Sequence, residues 1–250
     1  MSYDIRIQKE LINKLADSRK IVVFTGSGVS AESGIPTFRG DDGLWKKFSA
    51  HELANFDSFM KNPDLVWEWY QYRRRIINDS KPNAGHRALV ELEKYLDVTI
   101  VTQNVDNLHQ RAGSSRVYEL HGNITRNKCT ACGKRYDGEI ELTDNKPPHC
   151  ECGALVRPDV VWFGENLPEG VYELAEEQCE SCDVMLVVGT SGVVYPAALL
   201  PSAALSSGAM VVDINIDDSD HQHGRRLFIK GRSGEVLPAI FDEIKRLKEY

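Results

Sequence analysis

The segment IVVFTGSGVSAESGIPTFR, residues 21–39, sets the terms for the whole chain. A β-branched apolar run from Ile21 to Phe24 has the character of a buried strand, and it breaks at Thr25 into Gly26-Ser27-Gly28-Val29-Ser30-Ala31. That hexad has the G-x-G-x-x-(G/A) form of a strand-to-helix turn that cradles a dinucleotide phosphate. Gly26 suits the tight turn, Gly28 lets backbone N–H groups approach a pyrophosphate, and small Ala31 lets a helix pack close to a sheet. Ser27, Ser30 and Ser33 offer hydroxyl donors, whereas Glu32 must point away from a phosphate or be paired. The hexad alone equally fits a tight structural turn in an α/β protein. The next residues are more telling: Ser33-Gly34-Ile35-Pro36 stops the helix after little more than one turn and sets a loop carrying Phe38 and Arg39 beside the phosphates.

Beyond this segment, 250 residues with 42% hydrophobic content can bury one large core and a small accessory module. A net charge of -7 argues against a direct nucleic-acid footprint. The opening residues Met1 to Arg6 have no apolar targeting region, and no apolar run approaches membrane-spanning length, so a cytoplasmic protein without a membrane partner is expected. Six cysteines in such a protein are metal ligands or free thiols rather than disulfides.

Further β-rich runs recur at Val98–Thr102, Val184–Val188 and Met210–Ile214, each ending in small or polar residues. With helical spacing between them, the pattern predicts a doubly wound, parallel, Rossmann-like α/β sheet carrying a helical insertion and a small zinc-binding domain. The expected boundaries are 1–39, 84–125 and 157–250 for the Rossmann-like dinucleotide-binding domain, 40–83 for the insertion and 126–156 for the zinc module. In the insertion, Tyr70 and Arg73 are spaced i and i+3, so a phenol and a guanidinium share a helix face and can hold a carboxylate; the plainer reading is an aromatic core face with arginines in solvent. Cys129, Cys132, Cys150 and Cys152 form two thiolate pairs about twenty residues apart, which fits tetrahedral zinc in a closed, structural site. The second pair is C-x-C, and His149 stands where the commoner spacing would put a ligand, leaving Cys150 or His149 as the third donor. Cys179 and Cys182 lack the knuckle glycine and are read as incidental, and His86 as a capping or surface residue.

The chain resembles the sirtuins. Their G-A-G-x-S-x-x-S-G-I-P-x-F-R signature is matched from Gly26 to Arg39 except at Ser27, where the family usually has Ala, and their T-Q-N-(I/V)-D and E-L-H-G motifs match Thr102 to Asp106 and Glu119 to Gly122. The resemblance, running from about residue 15 to 240, implies an NAD-dependent protein-lysine deacylase that converts NAD and acyl-lysine into nicotinamide, acyl-ADP-ribose and free lysine. It implies that His121 is the base, that Gln103 and Asn104 address the nicotinamide ribose, and that Asp106 takes the carboxamide in a pocket closed by Ile35. Phe38 would shield the sugar cation and Arg39 orient the ribose. Gly189, Thr190, Ser191, Asn215, Ile216, Arg232 and Ser233 would hold the rest of NAD, with Asn215 on the adenosine ribose. Val161, Phe163 and Val193 would line the acyl-lysine channel. Tyr70, Arg73 and the small Ala54 resemble the branch that also removes malonyl and succinyl groups. NAD as co-substrate, one structural Zn2+, acyl-lysine peptides as partners and a monomeric state are the resulting expectations. The rival readings are mono-ADP-ribosyl transfer, a non-catalytic NAD sensor and a hydride-transferring dehydrogenase.

Overall fold

The apolar runs become strands in a computed structural model that describes residues 7–38, 43–44, 49–138, 140, 146–217 and 226–249. In chain order these are β1 (Lys20–Thr25), β2 (Asp97–Thr102), β3 (Val117–Glu119), β4 (Gly122–Cys129), β5 (Arg135–Asp137), β6 (Val156–Val160), β7 (Val184–Val188), β8 (Met210–Asn215) and β9 (Arg226–Lys230). Six of them form one parallel sheet in the order β3-β2-β1-β7-β8-β9, the arrangement of a doubly wound fold. Strand periodicity sorts the core onto two faces. Val23, Ile100, Leu186 and Val212 pack under the helices Lys9–Asp17, Ala84–Leu92 and Ser233–Glu249, through Leu15, Leu89 and Ile240 among others. Val22, Phe24, Val101, Met185 and Val211 face the opposite way, against Ala175, Cys179, Leu200 and Ala204 of the helices Val171–Glu180 and Leu200–Ser206. No described helix is long and apolar enough to cross a membrane.

The strand order reverses between β1 and β7, where the two strand-end loops meet backbone to backbone. The Gly26 N–H donates to the Val188 carbonyl at 3.0 Å and the Gly28 N–H to the Gly189 carbonyl at 2.8 Å. A Cβ on Gly28 would sit 2.7 Å from Gly189 Cα, and one on Gly189, whose φ is +58°, would sit 2.6 Å from the Val29 nitrogen. Glycine at Gly26 and Gly28 therefore answers first to the β7 loop; Gly26 has an ordinary extended backbone rather than a strained turn. The helical stretch Ser27–Ser33 is a short 3-10 segment ended by Gly34 in the left-handed region. Glu32 is paired: its carboxylate accepts from the Gly234 N–H at 2.7 Å and the Ser233 hydroxyl at 3.2 Å, capping the last helix.

The insertion consists of the helices Ala50–Leu53, Phe56–Lys61 and Pro63–Asp79. The longest begins with Asn62 as N-cap and Pro63 in the first turn, as helix starts favour. Its arginines do not all face solvent as the plainer reading expects: Arg75 does, but Arg73 and Arg74 are buried. Arg74 is satisfied by the carbonyl of Ile124 at 2.8 Å and by Asn127, tying the insertion to the small sheet.

That small sheet is antiparallel, ordered β5-β4-β6. The boundary expected at 126 falls inside β4, and β6 begins at Val156. At its outer end the sulfurs of Cys129, Cys132, Cys150 and Cys152 all lie within 4.8 Å of one another, with Cys129 to Cys152 at 3.5 Å and Cys132 to Cys150 at 3.6 Å. Four thiolates at about 2.3 Å from one tetrahedral zinc would sit about 3.8 Å apart, so the cluster fits that ion. The Ala131 and Cys132 N–H groups point at Cys129 Sγ, the support a thiolate needs. His149 is exposed, bridged to Leu155 and outside the cluster, so Cys150 is the ligand. Cys179 and Cys182 are buried against the main sheet and belong to no metal-type cluster among the described residues.

Gly28→Ala should cost about 1–3 kcal/mol through overpacking and lower Tm by roughly 2–12 °C; a wild-type Tm in a calorimetric scan would mean the two loops do not touch. Metal analysis should find about one zinc per chain, and its removal by a chelator should melt the 122–160 sheet first in hydrogen exchange; uniform exchange with and without metal would contradict a structural zinc.

Candidate functional site

The carboxyl ends of β1, β2, β3, β7 and β8 open into one cleft of about 810 Å³ at the switch point. Gly26, Ser27 and Gly28 from the first loop face Gly189, Thr190 and Ser191 from the β7 loop across it, and Asn215, Ile216, Arg232 and Ser233 close one end. Gln103 and Asn104 follow β2, and His121 follows β3, at the middle. Ala54, Tyr70 and Arg73 from the insertion and Val161 and Phe163 after β6 form the other end. Phe38 lies on the wall, while Arg39 is outside the described residues. Val193 is exposed and off the wall; Val194 and Tyr195 line it instead.

Side chains in the cleft are fixed by hydrogen bonds between the strand ends. The Gln103 amide donates to Thr190 Oγ1 at 2.9 Å, and the Asn215 amide donates to the Thr190 carbonyl at 3.1 Å. Asn104 Nδ2 reaches the Gly26 carbonyl at 3.0 Å and Ser30 Oγ at 3.2 Å. A small recess behind the cleft is lined by Ser30, Ile35, Phe38, Arg73, Asn104 and Asp106. Inside it the Asp106 carboxylate accepts from the Ser30 hydroxyl at 2.7 Å and from the Leu108 N–H at 3.0 Å. Burial raises its pKa above the ordinary aspartate value, opposed by those two donors and by Arg73.

The tautomer of His121 is set by its neighbour. Nδ1 lies 3.0 Å from the Gln103 carbonyl, which only accepts, so Nδ1 carries the proton and Nε2 of the neutral ring keeps its lone pair. Burial lowers the His121 pKa from its ordinary value, only partly offset by that carbonyl, so the ring is neutral at pH 7. A neutral imidazole with an open Nε2 on a cleft wall can accept a proton.

The channel end is braced from both sides. Tyr70 is buried and its hydroxyl accepts from Trp162 Nε1 at 2.7 Å, leaving its own O–H to donate. The Phe163 N–H donates to the Ala54 carbonyl, and the Val161 N–H to the His121 carbonyl, both at 2.9 Å. Arg157 is paired with Glu165 through both carboxylate oxygens and lies under the Trp162 ring at 3.2 Å. Glu165 also takes the Trp162 N–H at 2.8 Å. Trp162 and this buried ion pair carry no signal in the sequence, because only tertiary packing gives them their role. Arg73 rests against the rings of Phe38 at 4.8 Å, Trp69 at 4.9 Å and Tyr70 at 5.8 Å. Among the described residues it has no hydrogen-bonded anion, although it is buried. Burial lowers its pKa below the ordinary arginine value, with Tyr70 and Asp106 opposing.

Known proteins resemble this chain in sequence and fold. The Sir2 family profile matches residues 26–196. A protein of Pyrobaculum aerophilum named NAD-dependent protein deacylase 2 is 52% identical over 236 residues, covering 93% of this chain and 94% of its own length. A Sir2 homologue variant solved with ADP-ribose superposes with a TM-score of 0.93 at 41% identity, covering 97% of this chain and 98% of that one. A Sir2 solved with a p53 peptide and NAD+ has a TM-score of 0.85 at 36% identity, with 95% and 98% covered. On profile, sequence and fold together, the chain belongs to the Sir2 family.

Proposed function

We propose that this chain is an NAD-dependent protein-lysine deacylase whose acyl pocket accepts acidic acyl groups, succinyl and malonyl, alongside acetyl. The observation that carries the reaction is His121, held with Nε2 bare at the centre of a cleft whose two ends differ in chemistry. The Gly26–Gly28 and Gly189–Ser191 side, together with Asn215 and Ser233, offers backbone donors, hydroxyls and amides suited to a dinucleotide. The other end is an aromatic channel suited to a lysine side chain.

An amide oxygen is a weak nucleophile and needs an electron-poor carbon held in line with it. In this reading the nicotinamide ring lies in the recess, where Asp106 and Ser30 address its carboxamide, and Asn104 and Gln103 fix the attached ribose. The acyl oxygen arriving through the channel bonds to the ribose C1′ as the bond to nicotinamide breaks. Nε2 of His121 then takes a proton relayed through the ribose hydroxyls, so that the 2′-oxygen attacks the former amide carbon. Phe38 covers the reacting face against water. Release of lysine and attack of water complete the transfer of the acyl group to ADP-ribose. A zinc held by Cys129, Cys132, Cys150 and Cys152 would take no part in these steps, because four thiolates would fill its coordination sphere and none of them lines the cleft.

The acidic-acyl reading rests on contrast. Arg74 bonds carbonyls and an amide oxygen, and Arg157 a carboxylate, whereas Arg73 has no hydrogen-bonded anion among the described residues: it lies against aromatic rings in a recess it shares with Asp106. A desolvated guanidinium beside a phenol with a free O–H is a carboxylate site, and Ala54 leaves room for the longer acyl chain.

The reading is tested by nicotinamide release from acetyl-, malonyl- and succinyl-lysine peptides. Arg73→Met keeps the apolar volume and removes the charge, so kcat/KM for a succinyl peptide should fall about 10- to 150-fold, the value of a charge-assisted pair, while that for an acetyl peptide stays within about threefold; equal losses would sink the acyl assignment. His121→Ala should lose about 10²-fold or more in kcat. In the wild type, because burial depresses the His121 pKa, the base stays neutral as pH falls past the ordinary value, and the acid limb of kcat/KM should lie below about pH 6.5. A midpoint above that value would contradict the role given to this ring.

A further inference from the structure

Behind the cleft, the rings of His86 and His109 lie 4.8 Å apart, centroid to centroid, and both are buried. His86 Nδ1 is 3.3 Å from the backbone N–H of Asn83, which only donates, so the neutral ring carries its proton on Nε2. That Nε2–H has no partner, and neither does His109 Nδ1. The Thr25 hydroxyl donates to Thr102 Oγ1 and so can only accept from His109 Nε2, which puts the His109 proton on Nε2 and leaves the two rings packed together without a hydrogen bond between them. His109 Nε2 is 3.1 Å from Thr25 Oγ1, which reaches Thr102 Oγ1 at 2.8 Å, and Thr102 Oγ1 accepts the Asn104 N–H at 3.0 Å.

We propose that His86 and His109 are a neutral relay, each in the Nε2–H form, that positions Asn104 and the first glycine loop for nicotinamide release. The two ends of the relay grip the two sides of the site. At one end Asn83 Nδ2 donates to the Val29 carbonyl at 2.8 Å and to Ser33 Oγ at 3.0 Å, holding the 3-10 segment. At the other, Thr25 directly precedes Gly26, whose carbonyl takes the Asn104 side-chain amide, and Thr102 holds the Asn104 main chain. The relay thus couples where Asn104 points to where the glycine loop sits. Burial supports the neutral state, pushing His86 down to about 4 and His109 well below its ordinary value. Neither ring lines the cleft, so both are positioning residues.

The functional half of this inference rests on the deacylase reading, but its core does not, and the tests separate the two. In the wild type, long-range 1H–15N spectra of ring-labelled histidine should show His86 and His109 neutral and in the Nε2–H form at pH 7; an Nδ1–H form or a cation at either ring overturns the relay whatever the activity. His109→Gln keeps a donor at the Nε2 position and should hold kcat for nicotinamide release within about threefold. His109→Leu and Thr25→Val should each lower kcat about tenfold with KM for NAD changed less than about threefold, and the double variant should be no worse than either alone. Additive losses, or a Leu variant that turns over like Gln, would overturn the positioning role. If His109→Leu does not fold, Thr25→Val and the tautomer spectra still decide.

Discussion

Two glycine loops hold the centre of the molecule, the Gly28 N–H meeting the Gly189 carbonyl at 2.8 Å with no side chain between. Parallel strands running in opposite order from the sheet's centre leave a crevice at their carboxyl ends. Its width here is fixed by backbone in contact with backbone. Because neither loop can move without the other, Gln103 and Asn215 can both lean on Thr190, and Asn104 can reach the Gly26 carbonyl. The cleft is an outcome of that packing, and so is the precision with which its polar groups converge.

Three buried arginines show how the same cost is met in different ways. Taking a guanidinium out of water is unfavourable unless its donors are matched. Arg157 is matched by Glu165 and stiffens the channel segment under Trp162. Arg74 is matched by carbonyls and Asn127 and fastens the insertion to the small sheet. Arg73 lines the cleft against the rings of Phe38 and Trp69, with Asp106 in the recess behind it. Of the three, Arg73 is the one that lines the cleft without a hydrogen-bonded anion among the described residues, which is why the proposed acidic-acyl preference is read from it.

Much of this architecture is legible in the chain. Four of the six strands, β1, β2, β7 and β8, accord with β-branched runs that end in small or polar residues, since such runs bury on both faces only in an α/β sheet; the partly exposed edge strands β3 and β9 carry no such run. The four cysteines declare themselves by spacing, and the structure chooses Cys150 over His149 because the histidine is exposed, bridged to Leu155 and outside the sulfur cluster. The reason for Gly28 is not legible, since its neighbour Gly189 is distant in sequence. Nor is the brace of Trp162 on Tyr70, the burial of Arg74, or the choice of Val194 over Val193 on the wall, all of which depend on which way a loop turns after its strand. His86 reads from the sequence as a cap or surface residue; it does cap, but from full burial, because its helix packs against the Ser233–Glu249 helix and its ring against His109.

At the heart of the proposed reaction, an acyl oxygen delivered through the Tyr70–Arg73 channel attacks the sugar carbon of NAD within reach of His121. The decisive observation is the fate of that oxygen. A peptide whose acyl-lysine carbonyl carries 18O should hand the label to the ribose, so that mass spectrometry finds it in the ADP-ribose portion of the acylated product and not in the acyl group. Label retained in the acyl group, or lost to water while NAD is still cleaved, would contradict this mechanism.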